Sequence, residues 1–280
     1  TQGVSSAASD VYKRQQLENS LDEFIENGMG VVTISYDTVD ILKSFADRMG
    51  GFNYSTLADP DSEIIEAFGI RNPNPEPGSR TDGMAFPGTY LVNADRVVQE
   101  KYFHDSHRIR ETAETILMKT FGSDGGRQIE ARLPQFDFLA YASQDTLRPG
   151  NTVTLVTDIE LPERMHLYAP GSDYTAADLR IVETDHVKMR DLMLPEPEII
   201  YLEPIDESVP VYHGTPRIQR DIALAPSYRE DRIAVDVILT YQTCDDEICF
   251  PPNDFEFTMN FDVIMHDTTR APEDIQHMSN

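Results

Sequence analysis

The hydrophobic pattern of this chain changes period at Gly122-Ser-Asp-Gly-Gly126, and one layered architecture does not accommodate both sides of that break. Before it, helical and strand patterns alternate, the order that builds a mostly parallel α/β sheet. Leu17, Leu21, Phe24 and Ile25 form a helix stripe ending at Asn27-Gly28, and Val31–Tyr36 is a compact apolar strand. Asp37 stands where a cap is needed for a helix bearing Ile41, Leu42 and Phe45, which stops at Gly50-Gly51. Asp59-Pro60 opens a short helix through Ile64, Ile65 and Phe68, and Gly69 ends it. Thr89–Val92 and Val97–Phe103 read as strands around an Asn93–Arg96 turn, and Ser106 starts a last helix through Ile109 to Leu117. Beyond the glycine-rich break the pattern is short strands between Pro, Gly and Asp turns. Phe136–Ala142, Thr152–Ile159, Met165–Tyr168, Leu179–Val182, Ile199–Leu202, Val209–Tyr212, Ile218–Leu224, Ile233–Tyr241 and Phe255–Ile264 make about nine strands in roughly 135 residues, the spacing of a β-sandwich.

Charge and cysteine content narrow the function. Lys and Arg total 23 against 49 Asp and Glu in 280 residues, a net charge of −26 that repels phosphate backbones and anionic lipid, so no nucleic-acid partner is expected. Apolar runs such as Val31–Ile34 fall far short of the roughly 18 residues that span a bilayer, so no membrane insertion of this chain is expected. Neither GxxxxGK[ST] nor GxSxG occurs, and no cofactor site is legible. His104-Asp-Ser-His107 could be drawn as a metal or hydrolase fragment, but Ser106 sits where a helix cap belongs.

Cysteine chemistry is confined to Cys244 and Cys249, in the run Ile238–Pro252 (ILTYQTCDDEICFPP). A β-rich segment, a four-residue loop and a return strand read as a hairpin whose base holds the two cysteines opposite one another. Cα separations of ~4.5–5.5 Å there suit a disulfide. Asp245, Asp246 and Glu247 disfavour a neighbouring thiolate, so the pair would exchange mainly when a better thiolate attacks its disulfide. Three readings stay open on the residues alone: a redox relay, a structural staple, and a metal site completed by His213 or His266. The staple has little to gain, because closing so short a loop stabilises by only ~2 kcal/mol in the chain-entropy model.

The first 15 residues, TQGVSSAASDVYKRQ, have neither an apolar core nor a periodic pattern. Asp10–Gln15 resembles the in-frame translation of a transposase mosaic-end adapter, which implies a non-native leader and a natural chain interrupted just before Gln16. A missing signal peptide then says nothing of compartment.

Val31–Asp37 (VVTISYD), Leu57–Phe68 (LADPDSEIIEAF) and Phe86–Asn93 (FPGTYLVN) resemble the AhpC/TSA peroxiredoxin group, the redoxin branch of the thioredoxin fold, over about Gln16–Leu117. That resemblance implies a cis Phe86-Pro87 bond beside a reactive cysteine, with Pro87 structural at that site. The cysteine and its strand would precede Gln16, and none occurs in the first 243 residues, so this chain is expected to lack thiol peroxidase activity in that region. Met165–Gly171 (MHLYAPG), Val209–Gly214 (VPVYHG) and Tyr241–Pro252 resemble the amino-terminal, immunoglobulin-like domain of the thiol:disulfide interchange protein DsbD family, over about Arg132–Ile264. That resemblance implies a redox-active Cys244–Cys249 pair relaying electrons, a thioredoxin-like or DsbD-like thiol partner protein, and a periplasmic or other extracytoplasmic setting, with a cytoplasmic one as the alternative. Tyr168, in the matched MHLYAPG segment, is placed either near the cysteines or in the sandwich core.

The expected organisation is a leader over 1–15, a truncated thioredoxin-like α/β domain over 16–122, a linker over 123–130, an immunoglobulin-like β-sandwich over 131–267, and a polar tail over 268–280. The parent reads as a thiol-dependent antioxidant oxidoreductase. The rival class is a non-enzymatic binding or scaffold protein whose hairpin disulfide is structural.

Overall fold

The computed structural model describes residues 13–14, 16–79, 81–103, 110–122, 125–202, 206–245 and 247–265. Most of the leader, the His104–His107 segment, Asp246, His266 and the tail lie outside the described residues. The chain divides into two compact units, with the break between Phe121 and Gly122 and the second unit running to Met265.

The first unit contains α1 (Leu21–Glu26), β1 (Val32–Ser35), α2 (Val39–Arg48), β2 (Ser55–Ala58), α3 (Glu63–Ala67), β3 (Gly88–Val92), β4 (Val98–Phe103), β5 (Arg110–Glu111) and α4 (Ala113–Phe121). Its fold is an incomplete thioredoxin-like α/β arrangement. β1 and β2 pair in parallel, β3 and β4 pair antiparallel, and each pair stands as its own two-stranded sheet. The unit's apolar cluster is small, built on Phe24, Ala113, Ile116 and Leu117.

Local chemistry explains the helix starts. Thr38, not Asp37, caps α2, its Oγ1 accepting from the Ile41 N–H at 3.4 Å, while Asp37 accepts the Ser35 hydroxyl. Asp59 opens α3 as its position suggested: its carboxylate accepts the Ile64 and Ile65 N–H groups at 3.3 and 2.9 Å, satisfying two donors that a helix start leaves open.

The Phe86-Pro87 bond is trans, since no peptide bond among the described residues is cis, and this corrects the expectation of a cis-proline at Pro87. Trans is the lower-energy isomer of X–Pro by ~0.5–1 kcal/mol, and cis persists only where its surroundings over-determine it. Here the approach to β3 is set by the Phe86 N–H donating to the Ile70 carbonyl at 2.6 Å and by an Arg71–Ala85 bridge, which the trans chain satisfies.

The second unit is an immunoglobulin-like sandwich of β6 (Ile129–Arg132), β7 (Asp137–Ala142), β8 (Thr146–Leu147), β9 (Asn151–Glu160), β10 (His166–Tyr168), β11 (Asp178–Ile181), β12 (Val187–Met193), β13 (Glu198–Leu202), β14 (Glu207–Tyr212), β15 (Arg217–Leu224), β16 (Arg232–Tyr241), β17 (Thr243–Cys244) and β18 (Asn253–Val263). One sheet has the order β12-β15-β9-β7-β6 and another β11-β16-β18-β8. Both contribute to one core: Leu155, Ile159, Ile218 and Ile222 from the first meet Leu179, Val237, Leu239 and Phe257 from the second. In β16 the buried residues alternate along the C-terminal half, the period-2 signature of a strand with one covered face. A third sheet, β13-β14-β10-β17, carries the cysteine hairpin and a smaller cluster of its own, Tyr168, Val209, Val211 and Cys244.

Candidate functional site

The hairpin is built by backbone bonds. β17 pairs antiparallel with β10, bringing Cys244 opposite His166 and Thr243 opposite Leu167. The Phe250 N–H donates to the Thr243 carbonyl and the Asp245 N–H to the Ile248 carbonyl, each at 2.9 Å, which closes the loop. Asp245 organises that loop, Oδ1 accepting from the Glu247 and Ile248 N–H groups at 2.8 and 2.7 Å. These bonds hold its carboxyl below the usual carboxylate range, with nearby Arg164 and His166 adding to the effect.

Cys244 and Cys249 form a disulfide and an isolated antiparallel bridge. Their Cα atoms are 4.1 Å apart, closer than the ladder spacing expected from sequence, because the loop bonds pinch the base of the hairpin. The two sulfurs are not equivalent. Cys244 is 1% exposed and belongs to the apolar cluster, whereas Cys249 is exposed. The Tyr168 hydroxyl donates to Cys244 Sγ at 3.1 Å and lies 3.6 Å from Cys249 Sγ.

Tyr168 is thus both a core side chain and a neighbour of the cysteines. It is fully buried and stacks on Tyr174 with ring centroids 4.1 Å apart. Burial, reinforced by Tyr174, pushes its phenol up to about 12, so it remains a hydrogen-bond donor throughout the range where thiols titrate. His166 sits edge-on to Tyr168 at 5.3 Å and to His213 at 5.8 Å between centroids, and His213 Nδ1 lies 3.3 Å from Glu198 Oε2.

Cys249 opens onto a groove of about 800 Å³. Ile248, Tyr201, Leu202 and Tyr174 supply its apolar lining, and Glu163 and Glu247 its acidic flank. Ile248 and Tyr201 are more than half exposed, which is costly for apolar groups unless something covers them.

Sequence reasoning found the pair, Tyr168 and the acidic loop, and missed His166, Tyr174 and the groove. One signal was available: His166 and Tyr168 are two apart in a strand and therefore share a face. Pro87 lies in the first unit, just ahead of β3, with no cysteine in that unit to accompany it. His213 lines the groove, and no group of three or more His, Cys, Asp or Glu among the described residues could hold a metal. No described helix is long and apolar enough to cross a membrane.

Comparison with known proteins divides the chain in the same way as its patterns do. Residues 13–101 match the model of the AhpC/TSA family, and residues 137–260 match that of the thiol:disulfide interchange protein DsbD, N-terminal. The alkyl hydroperoxide reductase C of Pseudomonas aeruginosa is 24% identical over 101 residues, 35% of this chain. The chain spans about half of that relative's length, 50%. Among solved structures, the N-terminal periplasmic domain of ScsB from Proteus mirabilis aligns at 15% identity and a TM-score of 0.33, over 48% of this chain and 49% of that one. The complex between the DsbD N-terminal and PilB N-terminal domains of Neisseria meningitidis aligns at 18% identity and 0.28, over 38% and 73%. A redoxin-like region is therefore joined to a DsbD N-terminal-like region, and thiol–disulfide interchange is the kind of chemistry these families represent.

Proposed function

We propose that the sandwich is a two-electron relay in which Cys249 is the sulfur attacked by a partner thiolate and Cys244 the sulfur that leaves. The observation that carries this reading is the difference in exposure across one disulfide. A partner thiolate bonds to Cys249 Sγ, the Cys249–Cys244 bond breaks, and its electron pair goes to Cys244 Sγ. A second thiolate of the partner then attacks its own sulfur in the mixed disulfide and releases Cys249. The partner dithiol ends as a disulfide and the hairpin pair as two thiols after taking up two protons; the reverse sequence passes the electrons on.

Leaving-group stability governs the first step, and a buried thiolate is costly without a donor. Tyr168 supplies that donor at 3.1 Å. Tyr168→Phe is expected to slow reduction of the disulfide by dithiothreitol about tenfold, the weight of one hydrogen bond to a charged group, with an unchanged circular dichroism spectrum. An unchanged rate removes Tyr168 from the mechanism.

The partner class that fits is a thioredoxin-like or DsbD-like thiol protein, since the groove beside Cys249 offers apolar cover for a docked surface. An extracytoplasmic setting fits a disulfide that persists until a dedicated partner opens it. Peroxide reduction requires a thiolate, and the only cysteines here lie in the sandwich, so the α/β unit of this chain is assigned no peroxidase step. The reading is tested by equilibrating the full chain with redox buffers. A relay pair equilibrates at a potential more oxidising than about −300 mV, whereas resistance to reduction at that potential makes the disulfide a staple and the sandwich a binding module.

A further inference from the structure

We infer that His166 and His213 form a proton-sensitive switch on the leaving sulfur Cys244, a regulation that rests on the relay reading above. The two imidazoles and Tyr168 extend from solvent to the sulfur. The His213 side chain is 36% exposed, His166 is 5% exposed, and Tyr168 and Cys244 are buried. His213 meets His166 edge-on, His166 meets Tyr168 edge-on, and the Tyr168 hydroxyl donates to Cys244 Sγ. His166 is also the direct ladder partner of Cys244, so the two side chains leave the same face of the sheet with neighbouring Cβ atoms.

Like charges this close repel, so one positive charge shared near the two rings is the relevant acid-side state. Glu198 lies 3.3 Å from His213, and Asp245 is electrostatically coupled to His166. Glu163 and Glu247 line the same groove, with Arg164 as its cation, while the phenol of Tyr168 stays neutral. When the partner thiolate attacks Cys249, negative charge moves from the groove onto the buried Cys244 sulfur. A protonated pair beside Tyr168 stabilises that charge, and a neutral pair does not. The His residues act through Tyr168 and the local field and form no bond to a reacting atom.

The sign follows. Imidazole gains positive charge as pH falls, so exchange is expected to gain on the acid side relative to a chain without the pair. The attacking thiol also titrates, and a ratio of rates cancels its contribution. The experiment is reduction of the full-length disulfide by dithiothreitol between pH 5.5 and 8.5, in the native chain, His166→Phe and His213→Gln. The ratio of native to His166→Phe rate is expected to rise about five- to tenfold from pH 8.5 to 5.5, the partial expression of one charge at close range in a protein interior. His213→Gln alters a partly exposed side chain and leaves one imidazole beside Tyr168, so its acid-side gain is expected to be smaller than the native chain's. Ratios that stay constant with pH for both variants, while the disulfide still exchanges, overturn the switch and leave the relay standing. A disulfide that no dithiol opens at any pH overturns both.

Discussion

A Cys244→Ser chain mixed with a thioredoxin-like protein is expected to accumulate a covalent mixed disulfide through Cys249, while Cys249→Ser accumulates on the order of 100-fold less in the same time. For a fair comparison the partner carries a single exposed cysteine activated as an aryl disulfide, so that each variant's remaining thiol is the attacking group. Cys249 lies on the groove and can reach a bulky protein disulfide in line. Cys244, at 1% exposure, sits beneath Tyr168 within the Val209–Val211 cluster, where an approaching sulfur finds no path without opening the sheet. Non-reducing electrophoresis and intact mass report the adduct. Equal trapping by both variants would mean that the hairpin opens to expose Cys244, and the assignment of attacked and leaving sulfur would fall.

How much of this was legible in the sequence depended on whether neighbours along the chain or neighbours in space decide the outcome. The β16 pattern from Ile233 to Tyr241 announces itself, because one face is buried and its apolar residues recur at every second position. The hairpin at Cys244 was equally plain, since loop length and cysteine spacing are local properties. β12 was not, because Lys188, Arg190 and Asp191 interrupt the alternation and a register shift between Met189 and Leu192 breaks its period. The cap of α2 was misplaced by one residue because Asp37 and Thr38 are both competent caps, and only the competing Ser35 hydroxyl decides between them. At the site, Tyr174, Tyr201 and His213 come from segments far apart in sequence, and only the sheet order brings them to Cys249. Sequence reveals the cysteine pair; which of its sulfurs is exposed depends on packing that no local pattern encodes. The isomer at Pro87 was missed for a related reason, since a resemblance in wording does not carry with it the surroundings that would hold the less stable form.

The largest expected contrast in stability lies between two strands of similar composition, β1 and β16. Amide protons of Val32–Ser35 should exchange with solvent at least about a thousandfold faster than those of Val235–Tyr241 in the same native sample. Among the described residues β1 is a four-residue strand laddered only to β2, with Val32 57% and Ile34 42% exposed. Short ladders of this kind open by local fluctuation, because few contacts resist separation and little apolar surface meets water that was not already wet. β16 is different at every level. It pairs with β18 along its whole length and with β11 from Val237 to Thr240, so its C-terminal half is bonded on both sides. Val237 and Leu239 are 0% exposed and lie in the main core. Freeing those amides requires breaching that core, and their exchange should follow the global stability of the sandwich, which is ~5–15 kcal/mol for ordinary domains. Exchange followed by two-dimensional NMR or by mass spectrometry of peptic fragments resolves the two strands. Comparable protection in both would mean that β1 is held by more than β2 and that the α/β unit is a complete, cooperative domain; the expected contrast instead makes the sandwich, with its disulfide, the part that withstands conditions which already open β1.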